Sequence, residues 1–125
     1  MFLKKTYLEK SNIHGIGLFA GENIQKGEII WIPSDLFTLH IPEDKFKGLD
    51  ISDQDIIRHY GYFHKEMNVW HFASDNSRFI NHSVNPTIVR TKTGDGVQAL
   101  VDIVRGDELT QNYSDFEDLR DVLGG

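Results

Sequence analysis

Short apolar runs separated by turn residues, rather than long stripes at three-and-four spacing, set the rhythm of this chain and predict a mostly β domain with few helices. Glu28–Pro33 ("EIIWIP") and Leu36–Ile41 ("LFTLHI") are rich in β-branched and aromatic residues, and Pro33-Ser34-Asp35 between them reads as a turn. The clearest unit is a hairpin. Thr87–Lys92 ("TIVRTK") and Val97–Val104 ("VQALVDIV") flank Thr93-Gly94-Asp95-Gly96, and Val97, Ala99, Val101 and Ile103 alternate as one face of a strand. That strand ends at an Arg105-Gly106-Asp107 turn, after which a second short strand delivers Tyr113. Helical signals are brief. Ser52 and Asp55 resemble a capping pair, and Ile56, Ile57 and Tyr60 follow at helical spacing, which predicts a helix over Ser52–Gly61. The tail offers Ser114 or Asp115 as an N-cap, with Phe116, Leu119 and Leu123 on one face and Gly124 as a stop.

Composition narrows the picture without changing it. The chain has 125 residues, 39% of them hydrophobic, which fits one domain over 1–125 with a single core and no need of a metal or disulfide staple. Cysteine is absent, so disulfides, thiolate zinc sites and cysteine nucleophiles are excluded. The first residues lack the apolar stretch of a signal peptide and no run approaches the ~18 residues of a membrane span, so a cytoplasmic protein without a membrane partner is expected. Nineteen acidic residues against 13 basic ones give a net charge of −6. That balance disfavours direct binding to nucleic acid phosphates and suits a basic protein partner.

Three segments carry candidate chemistry. In "NIHGIGLFAGENIQKGEII", Gly15-Ile16-Gly17 is not a dinucleotide fingerprint, because Gly21 falls one place late and no helix start follows. Its glycines either make a tight turn or let backbone groups approach a ligand. "RFINHSVNPT", Arg78 to Thr87, concentrates hydrogen-bonding capacity in Arg78, Asn81, His82 and Ser83, either as a self-satisfied loop cluster or as a ligand site. Asn81-His82-Ser83 and Asn112-Tyr113-Ser114 match the glycosylation sequon, by chance in a chain with no signal peptide. The third segment is "VDIVRGDELTQNYS", ending at Tyr113. Between the first two lies "HYGYFHKEMNVWHF", where Tyr60, Tyr62, Trp70 and Phe72 either pack on core strands or line a pocket. The spacing of His59, His64 and His71 matches no familiar ligand pattern, so no metal site is expected.

Gly-x-Gly with "LFA" and "KGE", then "RFINHSxxP", then "GDELTxxY", in that order from about Tyr7 to Tyr113, resembles the SET-domain family of protein-lysine methyltransferases. The resemblance implies small β-sheets around a knot-like core, with the "RFINHS" and "ELTxxY" strands side by side. It also implies S-adenosylmethionine as methyl donor and a lysine of a basic protein as acceptor. Carried over by position, Gly15, Ile16 and Gly17 would line the cofactor pocket, Arg78, Asn81 and His82 would grip the cofactor, and Phe116 could pack on it. Tyr113 matches the catalytic tyrosine, with Tyr60, Tyr62 and Gln111 as walls of the lysine channel.

The chain departs from the family pattern at Val84, Thr87 and Gln111; the last stands where eukaryotic members often carry an aromatic residue that limits how many methyls are added. The resemblance is to the minimal, stand-alone members of bacteria and large viruses, which leaves a second subunit as one way to complete the channel. Enzyme location would be nucleoid or nuclear if the substrate is DNA-associated. A module that binds cofactor or a lysine peptide without turnover would share every motif except a competent Tyr113 and channel.

Overall fold

A computed structural model describes residues 1–114. Its strands are β1 (Thr6–Lys10), β2 (Ile16–Ala20), β3 (Ile29–Trp31), β4 (Thr38–Pro42), β5 (Tyr62–His64), β6 (Val69–Ala73), β7 (Asn81–His82), β8 (Ile88–Arg90), β9 (Val97–Ala99) and β10 (Thr110–Gln111). Two helices, α1 (Glu43–Lys47) and α2 (Ile51–Tyr60), lie between β4 and β5, and a 3-10 turn at Asn76–Phe79 precedes β7. The strands form four small sheets: β1-β2, β3-β9-β8, β4-β6-β5 and the pair β7-β10. This is the mostly β, multi-sheet architecture expected, and β7 and β10 do lie side by side, pairing parallel with Thr110 opposite Asn81 and Gln111 opposite His82.

The main core is built from Leu18, Ile24, Ile30, Ile88, Ile103 and Leu109, all less than 2% exposed. Burying each contributes about 1.5–3 kcal/mol. These side chains come from the β1-β2 ribbon, the β3-β9-β8 sheet and the segment entering β10, so the core fixes where β10 arrives. A smaller core of Phe46, Ile57 and Phe72 joins the two helices to the β4-β6-β5 sheet.

That sheet has two unlike faces. Successive residues of a strand point to opposite sides, so cross-strand partners share a face. Ile41, Trp70 and Phe63 form one row and His40, His71 and Tyr62 the next. The first row faces the helices, where Trp70 stacks on Phe46 and its indole N–H donates to Glu43 at 2.9 Å. The core reading of Trp70 and Phe72 is therefore the right one. The second row faces a cavity.

The β8–β9 hairpin forms as expected, closed through Thr91, Gly94 and Gly96, with Gly94 in the left-handed region at φ +77°. The one-sided strand expected over Val97–Val104 is shorter: it ends at Ala99, and Val101 is exposed. After Ala99 the chain turns away to make an isolated bridge between Ile24 and Ile103, which buries Ile103 without continuing the sheet. Helix α2 starts one residue earlier than expected, and neither Ser52 nor Asp50 supplies a side-chain cap. Gln54 instead turns back to donate to the carbonyls of Leu49 and Lys47. The tail helix with Phe116, Leu119 and Leu123 lies outside the described residues.

Candidate functional site

The polar density of "RFINHS" resolves into two structures on either side of the β7-β10 pair. On one side Asn81, buried, donates through its amide to the His14 carbonyl at 3.0 Å and to Glu108 Oε2 at 2.9 Å. Ser11 donates to Glu108 Oε1 at 2.8 Å and accepts from the Ile13 amide at 2.9 Å. One carboxylate thus ties the β1-β2 turn to β7 and to the approach of β10, with its lone pairs and the buried donors satisfied together. Gly17 belongs to this knot. A Cβ there would sit 2.5 Å from Glu108 Oε2, so the glycine is needed because the carboxylate fills its space. Gly15 serves differently: it turns at φ +47° with nothing within 4 Å of where its Cβ would be. The neighbouring Ile16 is 53% exposed.

Glu108 and Ser11 were not among the residues singled out by sequence. Their separation of 97 positions leaves no local signal, and only the acidic residue inside "GDELT" marks the place.

At the end of the same strand pair His82 is exposed and accepts from the Tyr113 backbone N–H at its Nδ1, 3.1 Å away, which puts the ring hydrogen on Nε2 when the imidazole is neutral. The Tyr113 ring packs against His82 with centroids 5.1 Å apart. Its hydroxyl donates to the Ile80 carbonyl at 2.7 Å. Burial pushes the phenol above its ordinary value, so Tyr113 is a protonated donor at neutral pH and poorly suited to act as a base.

On the other side lies a cavity of about 440 Å³. Tyr60, Tyr62, Gln111 and Tyr113 line it together, as the substrate-channel reading requires. Arg78 lines it too, its guanidinium 5.1 Å from the Phe79 ring centroid and 5.9 Å from those of Tyr60 and Phe72. Arg78 therefore stands with the channel residues and apart from Asn81 and the Gly15–Gly17 turn, which do not reach this cavity. Gln111 is 3% exposed, and its amide Nε2 has no hydrogen-bond partner among the described residues. Phe116 lies outside the described residues.

The histidines also reach the cavity: His40, His59 and His71 are on its wall. His40 and His71 face each other at 2.9 Å between their Nδ1 atoms, and Asp35 approaches His40 Nε2 at 3.2 Å. Among the described residues no cluster of three or more histidine or acidic side chains has the geometry to hold a metal ion.

Residues 15–114 match the SET domain family. A relative in Plasmodium falciparum (isolate 3D7), the variant-silencing SET domain-containing protein, is 30% identical over 90% of this chain, and the chain spans 5% of that protein's length. Among solved structures, a candidate histone methyltransferase of Plasmodium falciparum is 27% identical with a TM-score of 0.61, covering 88% of this chain and 93% of that one. The Polycomb Repressive Complex 2 of Chaetomium thermophilum, bound to S-adenosylmethionine in an autoinhibited conformation, is 25% identical with a TM-score of 0.61 over 95% of this chain and 17% of that one. The fold is shared as well by the Neurospora protein DIM-5, a histone lysine methyltransferase, at 19% identity and a TM-score of 0.56 over 90% of this chain and 53% of that one. With the motif strands paired in the knot, Tyr113 at their end and the match running from Gly15 to Ser114, this chain belongs to the SET-domain family.

Proposed function

We propose that the chain is a protein-lysine N-methyltransferase using S-adenosylmethionine. The observation that carries this reading is the position of Tyr113: its hydroxyl is fixed on the Ile80 carbonyl where the Asn81–His82 strand meets a cavity walled by Tyr60 and Tyr62. The cofactor fits the opposite surface in three respects. Gly15 leaves open space, Ile16 offers an exposed apolar side chain, and His82 is exposed and makes no hydrogen bond at Nε2 among the described residues while Nδ1 holds Tyr113. Asn81 serves there as scaffold, since its amide hydrogens are engaged by His14 and Glu108. Bound S-adenosylmethionine supplies an electrophilic methyl on a sulfonium.

The chain's own residues then have two tasks, alignment and exclusion of water. Tyr60 and Tyr62 form apolar walls for a lysine side chain, and the Tyr113 hydroxyl, held in place, orients the amine. The remaining obstacle is the lysine proton. A free lysine has a pKa near 10.4, so presenting the neutral amine near pH 7 costs about 4–5 kcal/mol at 1.36 kcal/mol per unit.

We place the target lysine on a basic protein, because a net charge of −6 attracts one over long range. The test is transfer of radiolabelled methyl from S-adenosylmethionine to a fractionated lysate of basic proteins, at low and moderate salt. Label on lysine side chains, weakening as salt rises, is the expected result. Saturable cofactor binding with no transfer would make the chain a binding module instead, and no cofactor binding would overturn both.

A further inference from the structure

The second row of the β4-β6-β5 sheet offers the lysine proton a destination, and its tautomers follow from the surface inward. Asp35 is at the surface, 98% exposed, and as a carboxylate it only accepts, so His40 Nε2 carries a hydrogen toward it. The two Nδ1 atoms of His40 and His71, 2.9 Å apart, have room for one hydrogen between them. In the neutral pair His40 already has its hydrogen on Nε2, so the shared hydrogen belongs to His71. His71 Nε2 is then a bare lone pair on a residue that lines the cavity, and no hydrogen bond to it forms among the described residues. Tyr62, a channel wall, stacks on the same ring with centroids 5.1 Å apart, which holds its plane.

We propose that His71 is the proton acceptor for the substrate ammonium, positioned and relieved of charge by His40 and Asp35. This inference rests on the methyltransferase reading. The ammonium N–H bond breaks, its proton bonds to His71 Nε2, directly or through one water in the cavity, and the electron pair stays on the amine as the nucleophile. The Nδ1 hydrogen of His71 crosses to His40 Nδ1, so the positive charge comes to rest beside the Asp35 carboxylate. When product leaves, the shared hydrogen returns to His71 Nδ1 and the Nε2 proton passes to water entering the cavity, which restores the neutral pair.

The surroundings keep the acceptor free of a proton, while transfer from an ammonium to a weakened imidazole runs uphill, so the His40–Asp35 pair has to hold the charge. Burial, then the neighbouring charges of His40 and His64, hold His71 below the ordinary histidine value, which keeps it an unprotonated acceptor at neutral pH. His64 lies on β5 with its ring 5.9 Å from His71. The other charged or titratable groups around the cavity are Arg78, Arg90, His59 and the tyrosines, so Asp35 is its sole acidic side chain among the described residues. Asp35 thus sets the acidic side chain of this cavity at the solvent, beside the half-exposed His40.

The experiment has two arms on the full chain. Imidazole ¹⁵N spectra at neutral pH should show His71 protonated at Nδ1 and bare at Nε2; a hydrogen on Nε2 overturns the assignment. Methyl transfer to a core histone mixture is then followed from about pH 6 to about pH 10 for the native chain, His71→Gln and His40→Asn. His71→Gln should lower kcat near pH 7 by about 10²-fold. KM and cofactor affinity should stay within about twofold, and the deficit should shrink as the pH nears the lysine's own value of about 10.4. His40→Asn should give a smaller deficit of the same shape. A deficit equal at every pH, or one confined to KM, would make the row structural or a binding surface and overturn the proposal. A native chain that shows the bare Nε2 but transfers no methyl to histones or to the basic-protein lysate would fail the methyltransferase reading, and the role of His71 with it.

Discussion

The two sides of the β7-β10 pair treat their polar groups differently. Around Glu108 the donors and acceptors are paired with one another: Ser11, Asn81 and the backbone of the β1-β2 turn converge on one carboxylate. Around the cavity some stay unpaired among the described residues. There the buried Gln111 amide nitrogen and His71 Nε2 have no hydrogen-bond partner among those residues, and Arg78 rests on aromatic rings rather than on an acid. A buried polar group left unpaired costs about 1–3 kcal/mol, so a fold keeps such groups where something else is to meet them. The paired side ties the β1-β2 turn to β7 and β10, and the cavity side is where the proposed function sets its substrate.

Three substitutions test that division. The largest stability effect should come from Glu108→Ala, which strands the Ser11 hydroxyl and the Asn81 amide in the knot. A loss of about 3 kcal/mol in urea unfolding is expected. A loss under about 1 kcal/mol would mean that the knot does not depend on this carboxylate. Gln111→Met should have the opposite sign. Replacing an unpartnered amide by a side chain of similar volume should leave stability unchanged or raise it by up to about 1 kcal/mol, read as a shift in thermal midpoint. A marked loss would show that the free protein already uses the amide. The smallest effect on folding belongs to Tyr113→Phe, which removes one hydrogen bond from a residue that is 45% exposed, so its unfolding midpoint should move by well under 1 kcal/mol.

Much of this was legible in the sequence where the signals are local. The hairpin at Gly94, the helix over Ile56 and Ile57 and the turn at Gly106 follow from periodicity and turn chemistry, whereas Tyr60, Tyr62, Gln111 and Tyr113, assigned to the site only through the family resemblance, share one cavity wall in the structure. Elements without local signals were not legible. β1 is exposed along almost its whole length and shows no alternation, so only its pairing with β2 makes it a strand. α1 is five residues with no side-chain cap, held by Phe46 in the smaller core. Glu108 and the Asp35–His40–His71 row were hidden for the same reason: their partners come from strands far apart in sequence, and only the sheet register brings them together. The family resemblance grouped Arg78 with Asn81 at the cofactor, and the 3-10 turn at Asn76–Phe79 sets it on the cavity wall.

The central claim is that Tyr113 orients a lysine amine for methyl transfer, and the most direct measurement is the rate of lysine labelling by the native chain and by Tyr113→Phe at equal, saturating S-adenosylmethionine. The account predicts labelled lysine from the native chain and a fall of about 10²-fold in the variant with cofactor affinity unchanged. Equal labelling by the two chains would contradict it.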